Sequence, residues 1–280
     1  MRGLVGFATL VVMLGIAIGC SNNPPPIKEA EKVGGDGEVQ KSPDVPSVQK
    51  PEKSDPAALA VVEAAIKAYT GGKPELLQAF KSVKANREGQ GVGMANERLD
   101  QKWLIQMIWP DKIRLRVEMS ADRYSIIVRS GETIWSAGSA NREKQIAEPK
   151  LTAAFIQDAS AEWLLLLFPL TEPTTIFAPA PDGRPNQRPA TGVRIWAKDI
   201  TDAVLYFDKE TKLLAQVTYD GREGTQKVAK DFVIVRNKAF SGVLLPERIE
   251  LRSNGRYLYD WSLIGIEPTT AIDPKVFENP

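Results

Sequence analysis

Lys102-Trp103-Leu104-Ile105-Gln106-Met107-Ile108-Trp109-Pro110-Asp111-Lys112-Ile113-Arg114-Leu115-Arg116-Val117-Glu118-Met119 decides the fold class. In its second half Ile113, Leu115, Val117 and Met119 alternate with Lys112, Arg114, Arg116 and Glu118. That period of two belongs to a strand with one dry and one wet face. In the first half Trp103, Ile105, Met107 and Trp109 share one face while Leu104 and Ile108 lie on the other, so this strand is expected to be covered on both sides.

Working outward, the period of two is expected from Gly93 onward. Tyr124 to Val128 and Thr133 to Trp135 predict a hairpin about Ser130-Gly131. Strands resume at Gly192–Lys198, Ala203–Phe207, Leu213–Tyr219, Lys227–Val235, Pro246–Arg252 and Tyr257–Ile266. Turn chemistry at Asp220-Gly221 and Asn254-Gly255 predicts short antiparallel connections between them.

Helices punctuate this strand series. Ser54-Asp55-Pro56 is a helix-entry signal, after which Leu59, Val62, Ile66 and Tyr69 recur at helical spacing until Gly71-Gly72. Pro74 starts a second short segment with Leu76, Leu77 and Phe80 on one side. Ala153 to Phe168 reads as helical, and its end, Trp163-Leu164-Leu165-Leu166-Leu167-Phe168, is too apolar for water and too short to cross a bilayer. It is expected to pack against the sheet. The Pro-rich stretch from Pro169 to Pro189 predicts a long surface loop or lid.

The N-terminus predicts a place in the cell envelope. Arg2, an apolar run from Leu4 to Ile18 and the small-residue ending Ala17-Ile18-Gly19-Cys20 predict a lipoprotein signal peptide over residues 1–20, with Cys20 as the lipidation site. Ser21 follows the cysteine, and the lack of an Asp there favours the outer membrane, with the domain facing the periplasm. Residues 21–55 are Pro- and charge-rich without period, which predicts a disordered tether. Such a tether has an r.m.s. reach of roughly 30 Å. Residues 56–280 are expected to form one domain.

Composition narrows the chemistry. Cys20 is the one cysteine and the chain has no histidine. The mature domain therefore has no thiol for a disulfide or a nucleophile, and lacks the commonest general base and metal ligand. Neither a metal nor a cofactor is expected. Thirty-six basic residues against 35 acidic ones leave no basic excess for nucleic acid. Asp199 with Asp202, and Asp208 with Glu210, flank strand ends where carboxylates are ordinary turn residues, so no enzyme is expected.

Trp109-Pro110-Asp111-Lys112-Ile113-Arg114, the hairpin Ser125-Ile126-Ile127-Val128-Arg129-Ser130-Gly131-Glu132-Thr133-Ile134-Trp135 and the closing Ile272-Asp273-Pro274-Lys275-Val276-Phe277 resemble the LolA/LolB family of periplasmic lipoprotein carriers and receptors. The resemblance runs from about Ala57 to the C-terminus. It implies an α+β fold in which a curved antiparallel sheet forms an unclosed barrel, with helices over its concave face and an apolar cavity between them for acyl chains. The family's gate arginine and phenylalanine correspond here to Trp109 and Ile113, which puts a gate of that kind in doubt.

An acyl site needs a dry lining, since each buried methylene contributes about 0.8 kcal/mol. The expected lipid-binding residues on the sheet are Trp103, Met107, Trp109, Leu115, Val117 and Trp135. Phe155, Leu165 and Phe168 are expected from the covering helix. A fully packed core is the alternative for the same residues. Arg87, Arg98, Arg114 and Arg116 are read as a solvated strand face rather than as phosphate ligands. The expected function is binding of lipid or lipoprotein acyl chains. The alternative is a non-catalytic envelope sensor or protein-interaction domain that resembles RseB.

Overall fold

The computed structural model describes residues 49–92, 98–140, 143–147, 149–223 and 226–278. The expected leader, Cys20 and residues 21–48 of the expected tether lie outside the described residues. Among the described residues thirteen strands form one antiparallel sheet in the order β6-β5-β4-β3-β2-β1-β13-β12-β11-β10-β9-β8-β7. Two meanders build it. The first comprises β1 (Ser82–Val92), β2 (Arg98–Ile108), β3 (Lys112–Ser120), β4 (Arg123–Ser130), β5 (Thr133–Gly138) and β6 (Gln145–Ile146). The second comprises β7 (Ile176–Gly183), β8 (Ala190–Trp196), β9 (Ala203–Asp208), β10 (Leu214–Glu223), β11 (Gln226–Phe240), β12 (Val243–Ser253) and β13 (Arg256–Pro268).

The last strand, β13, pairs with the first, β1, and so fuses the two meanders edge to edge. The outer strands β6 and β7 are not paired with each other, so the sheet stays open, as the α+β unclosed barrel requires. Helices α1 (Pro56–Thr70) and α2 (Pro149–Leu164) pack on its inner face. α2 leaves from β6 and leads to β7, which carries the chain from one edge of the sheet to the other.

Local chemistry explains most boundaries. Asp55 caps α1, its Oδ1 accepting from Ala57 N at 2.8 Å and Ala58 N at 3.1 Å. Gly71, at φ 62°, closes the helix. The turns Ser241-Gly242 and Asn254-Gly255 have both residues at positive φ, the geometry that matches the twist of a two-residue hairpin.

Several expectations are corrected. The buried stripe of α1 is Ala58, Val62, Ala65 and Tyr69, not the larger Leu59 and Ile66; Leu59 is exposed. The two alanines let the helix lie close to the sheet, and Tyr69 OH accepts from Leu214 N at 2.7 Å. Strand β1 begins eleven residues before the expected change of period, because its outward residues Lys84, Asn86 and Glu88 and its glycines dilute the pattern. Leu104 is 42% exposed while Ile108 packs against the outer cluster of Ile126, Val128 and Trp135, so β2 is covered on both faces only at its Ile108 end.

The Pro-rich stretch is not a lid: residues Ile176–Gly183 form edge strand β7. Phe177 N bonds Ser54 Oγ outside the sheet, so the alternate position Pro179 directs its nitrogen to the same unpaired side, where proline removes a sticky donor. Asp220-Gly221 is not a turn either. It lies within β10, opposite Ala229 and Val228.

Candidate functional site

The inner face carries one contiguous apolar cluster. On β2 and β3 the register pairs Trp103 with Val117, Ile105 with Leu115 and Met107 with Ile113, so these side chains share that face. Trp109 stacks edge-on against Trp163 (5.3 Å between centroids) and Phe168 (5.0 Å), while Trp163 and Phe168 meet at 5.5 Å. The left-handed Leu167, at φ 63°, turns the chain after α2 and helps place Leu165 and Phe168 against this cluster.

Eight of the nine sequence-expected lining residues therefore come together: Trp103, Met107, Trp109, Leu115, Val117, Phe155, Leu165 and Phe168 belong to or pack against this one cluster. Trp135 does not. It is opposite Val128 on the outer face, where Ile272 and Phe277 of the C-terminal tail cover it and Lys144 Nζ lies 5.1 Å from its ring. The expectation failed because Ile134-Trp135 offers an apolar residue to each face, and Ile134 is the inner one.

At its centre the inner face is filled. Val117, Trp163 and Phe168 are 0% exposed, so no water-sized space adjoins them, whereas Trp109 and Leu115 keep part of their surface accessible.

Charged side chains cross this apolar layer where α2 sits on the sheet, and sequence reading missed them. Asp158 on α2 accepts from Lys230 Nζ of β11 at 2.6 Å and from Tyr219 OH of β10 at 3.1 Å; Lys230 is 0% exposed. The lysine stem lies across Gly221, where a Cβ would come within 2.6 Å of Lys230 Cδ. This is the reason for a glycine inside β10. One turn further along α2, Glu162 Oε2 accepts from Arg87 NH1 at 3.0 Å. Arg87 therefore points inward, contrary to the solvated-face reading, and its guanidinium lies 5.1 Å from the Trp261 ring centroid.

Burial raises the Asp158 carboxyl above its ordinary value, against the opposing pull of Lys230. Burial also holds Tyr219 and Tyr259 well above the usual phenol range; the Asp158 charge adds to this at Tyr219, and Glu162 then Asp158 at Tyr259. Both tyrosines are thus neutral donors at ordinary pH. The signal for the cations was in the strand period. Lys230 shares its face with Phe232 and Ile234, and Arg87 shares its face with Val83 and Ala85.

Elsewhere the polar groups are structural. Asp208 stays below its ordinary value despite the upward effect of burial, because Thr211 and Glu210 N–H groups, the Thr211 hydroxyl and Arg188 hold its charge. Asp202 pairs with Arg194, and Arg116 pairs with Glu118 over the Tyr124 ring. Among the described residues no group of three or more His, Cys, Asp or Glu side chains is placed to hold a metal. On the outer face a trough of about 770 Å³ runs over β13, β1, β2 and β3, lined by Glu88, Asp100, Lys102, Glu118 and Ile264. Ile264 is 52% exposed, with Leu104 two strands away on the same face.

No family model and no curated protein matches the sequence. Solved structures do share its architecture. A LolA superfamily protein from Nitrosomonas europaea superimposes with a TM-score of 0.51 at 9% identity, over 79% of this chain and 96% of that one. A DUF1329 family protein from Desulfovibrio piger gives a TM-score of 0.50 at 12% identity, over 80% and 98%. With the open antiparallel sheet and its helix-covered inner face, this likeness shows that the chain has the LolA-like fold.

Proposed function

We propose that the chain is an envelope lipoprotein, anchored through Cys20 in the outer membrane, whose domain binds the acyl chains of lipids or lipoproteins on the inner face of the sheet. The observation that carries this reading is the contiguous apolar layer from Ile134 of β5 to Phe177 of β7, with α2 packed over β10 and tied down at its core by two ion pairs rather than by packing alone. Because the centre of that layer is filled, a ligand enters as the Leu165–Phe168 turn, beyond the two ion pairs, shifts away from Trp109 and Leu115, whose surfaces are already partly accessible. The role is non-catalytic carriage or sorting.

The full chain, purified from membranes and extracted, is analysed by mass spectrometry for lipid not covalently attached to it. Acyl lipid at about one molecule per chain supports the reading, and its absence contradicts it. Replacing Cys20 with Ala should abolish membrane retention of the mature chain. A second reading has its own observation: the trough with exposed Ile264 and nearby Leu104 on the outer face suits a protein-interaction or sensing domain. A chain without lipid that retains a protein partner through this face would support it.

A further inference from the structure

Arg87 Nε and Trp261 Nε1 are buried and meet no protein acceptor. Trp261 is 2% exposed, and the two side chains are neighbours on β1 and β13, with the guanidinium carbon 5.1 Å from the indole centroid. A desolvated donor without an acceptor is costly, so each of these two donors calls for an oxygen within hydrogen-bond reach. The groups around them fix the charge of that oxygen. Arg87 and Lys230 are balanced by Glu162 and Asp158, and the neighbouring Tyr259 and Tyr219 stay protonated. A neutral acceptor leaves this balance intact, whereas a carboxylate would add a third anion beside Glu162 and Asp158.

We propose that Arg87 and Trp261 form a subsite for the carbonyl oxygen of an esterified acyl chain, and discriminate against the free fatty acid. The inference rests on the acyl-binding reading above and names its ligand class. Arg87 is opposite Trp103 in the β1–β2 register, so a carbonyl held there starts the chain at the Trp103 end of the β2 row. From Trp103 to Trp109 that row spans about 20 Å, the reach of a long-chain acyl group.

The test uses the full chain and two fluorescent probes with one common acyl chain, a free acid and its methyl ester, at about pH 8, where the free acid is ionised. The ester should bind about tenfold more tightly than the acid. Trp261→Phe keeps the ring and removes the N–H, so it should weaken ester binding by about fivefold to tenfold. Glu162→Gln removes one anion and should narrow the preference by strengthening acid binding; it also serves where Trp261→Phe fails to melt cooperatively. Equal affinity of the unmodified chain for both probes overturns the subsite. So does an ester preference that neither variant changes, because the acceptor at Arg87 and Trp261 is then water. Binding of neither probe overturns the acyl-binding reading along with it.

Discussion

Lys230→Met leaves the Asp158 carboxylate buried at 5% exposure with Tyr219 OH as its remaining hydrogen-bond partner. The lost contact is a 2.6 Å charge-assisted bond between a cation at 0% and an anion at 6% side-chain exposure. Breaking one member of such a pair costs about 3–5 kcal/mol, mostly because the surviving charge has no compensation. In urea unfolding the midpoint should fall by roughly 1–2 M with an unchanged slope. Adding Asp158→Asn removes that charge while keeping an oxygen for Tyr219 OH, so the double variant should regain at least half of the loss. If Lys230→Met shifts stability by less than about 1 kcal/mol, or if the double variant is no more stable than the single one, the buried pair does not hold α2 to the sheet as argued.

Gly221→Ala should destabilise the domain by about 1–3 kcal/mol, because its Cβ displaces the Lys230 stem, and most of that loss should vanish in a Lys230→Ala background, as a double-mutant cycle in urea will show. Trp135→Ala should cost about 3–5 kcal/mol in the same assay by uncovering the tail, yet leave acyl-probe affinity unchanged because the indole faces outward. Stability should also fall above about pH 10, since the unfolded chain ionises its tyrosines there while Tyr259 and Tyr219 stay protonated in the fold; their contribution is complete below that pH and lost as pH rises toward the raised values. Tyr259→Phe should make that alkaline loss shallower, read as melting temperature against pH.

The strands with clean alternation were legible: β3, the β4–β5 hairpin and the Asn254-Gly255 turn stand where period and turn chemistry put them. What was hidden follows one physical pattern. Gly221 and the prolines of β7 looked like breaks, because sequence alone does not tell a glycine that makes room for a lysine, or a proline at a sheet edge, from a turn residue. Eight of the nine lining candidates gathered on one face because apolar parity is a local property. Trp135 and the ion pairs under α2 depended on which layer covers which face, and the contacts of Asp158 with Lys230 and of Arg87 with Glu162 span long stretches of chain.

The acyl-binding claim is tested most directly by uptake of a fluorescent long-chain acyl ester by the full chain and by Met107→Glu, read together with thermal stability. Met107 lies on the inner face at 2% exposure, so a carboxylate there is placed in the proposed acyl path. The account predicts saturable uptake by the unmodified chain and its loss in the variant, with a lowered but still cooperative melt as the Leu165–Phe168 turn moves to hydrate the charge. No uptake by the unmodified chain, together with outright unfolding of Met107→Glu, would contradict it and leave the inner face as a packed core.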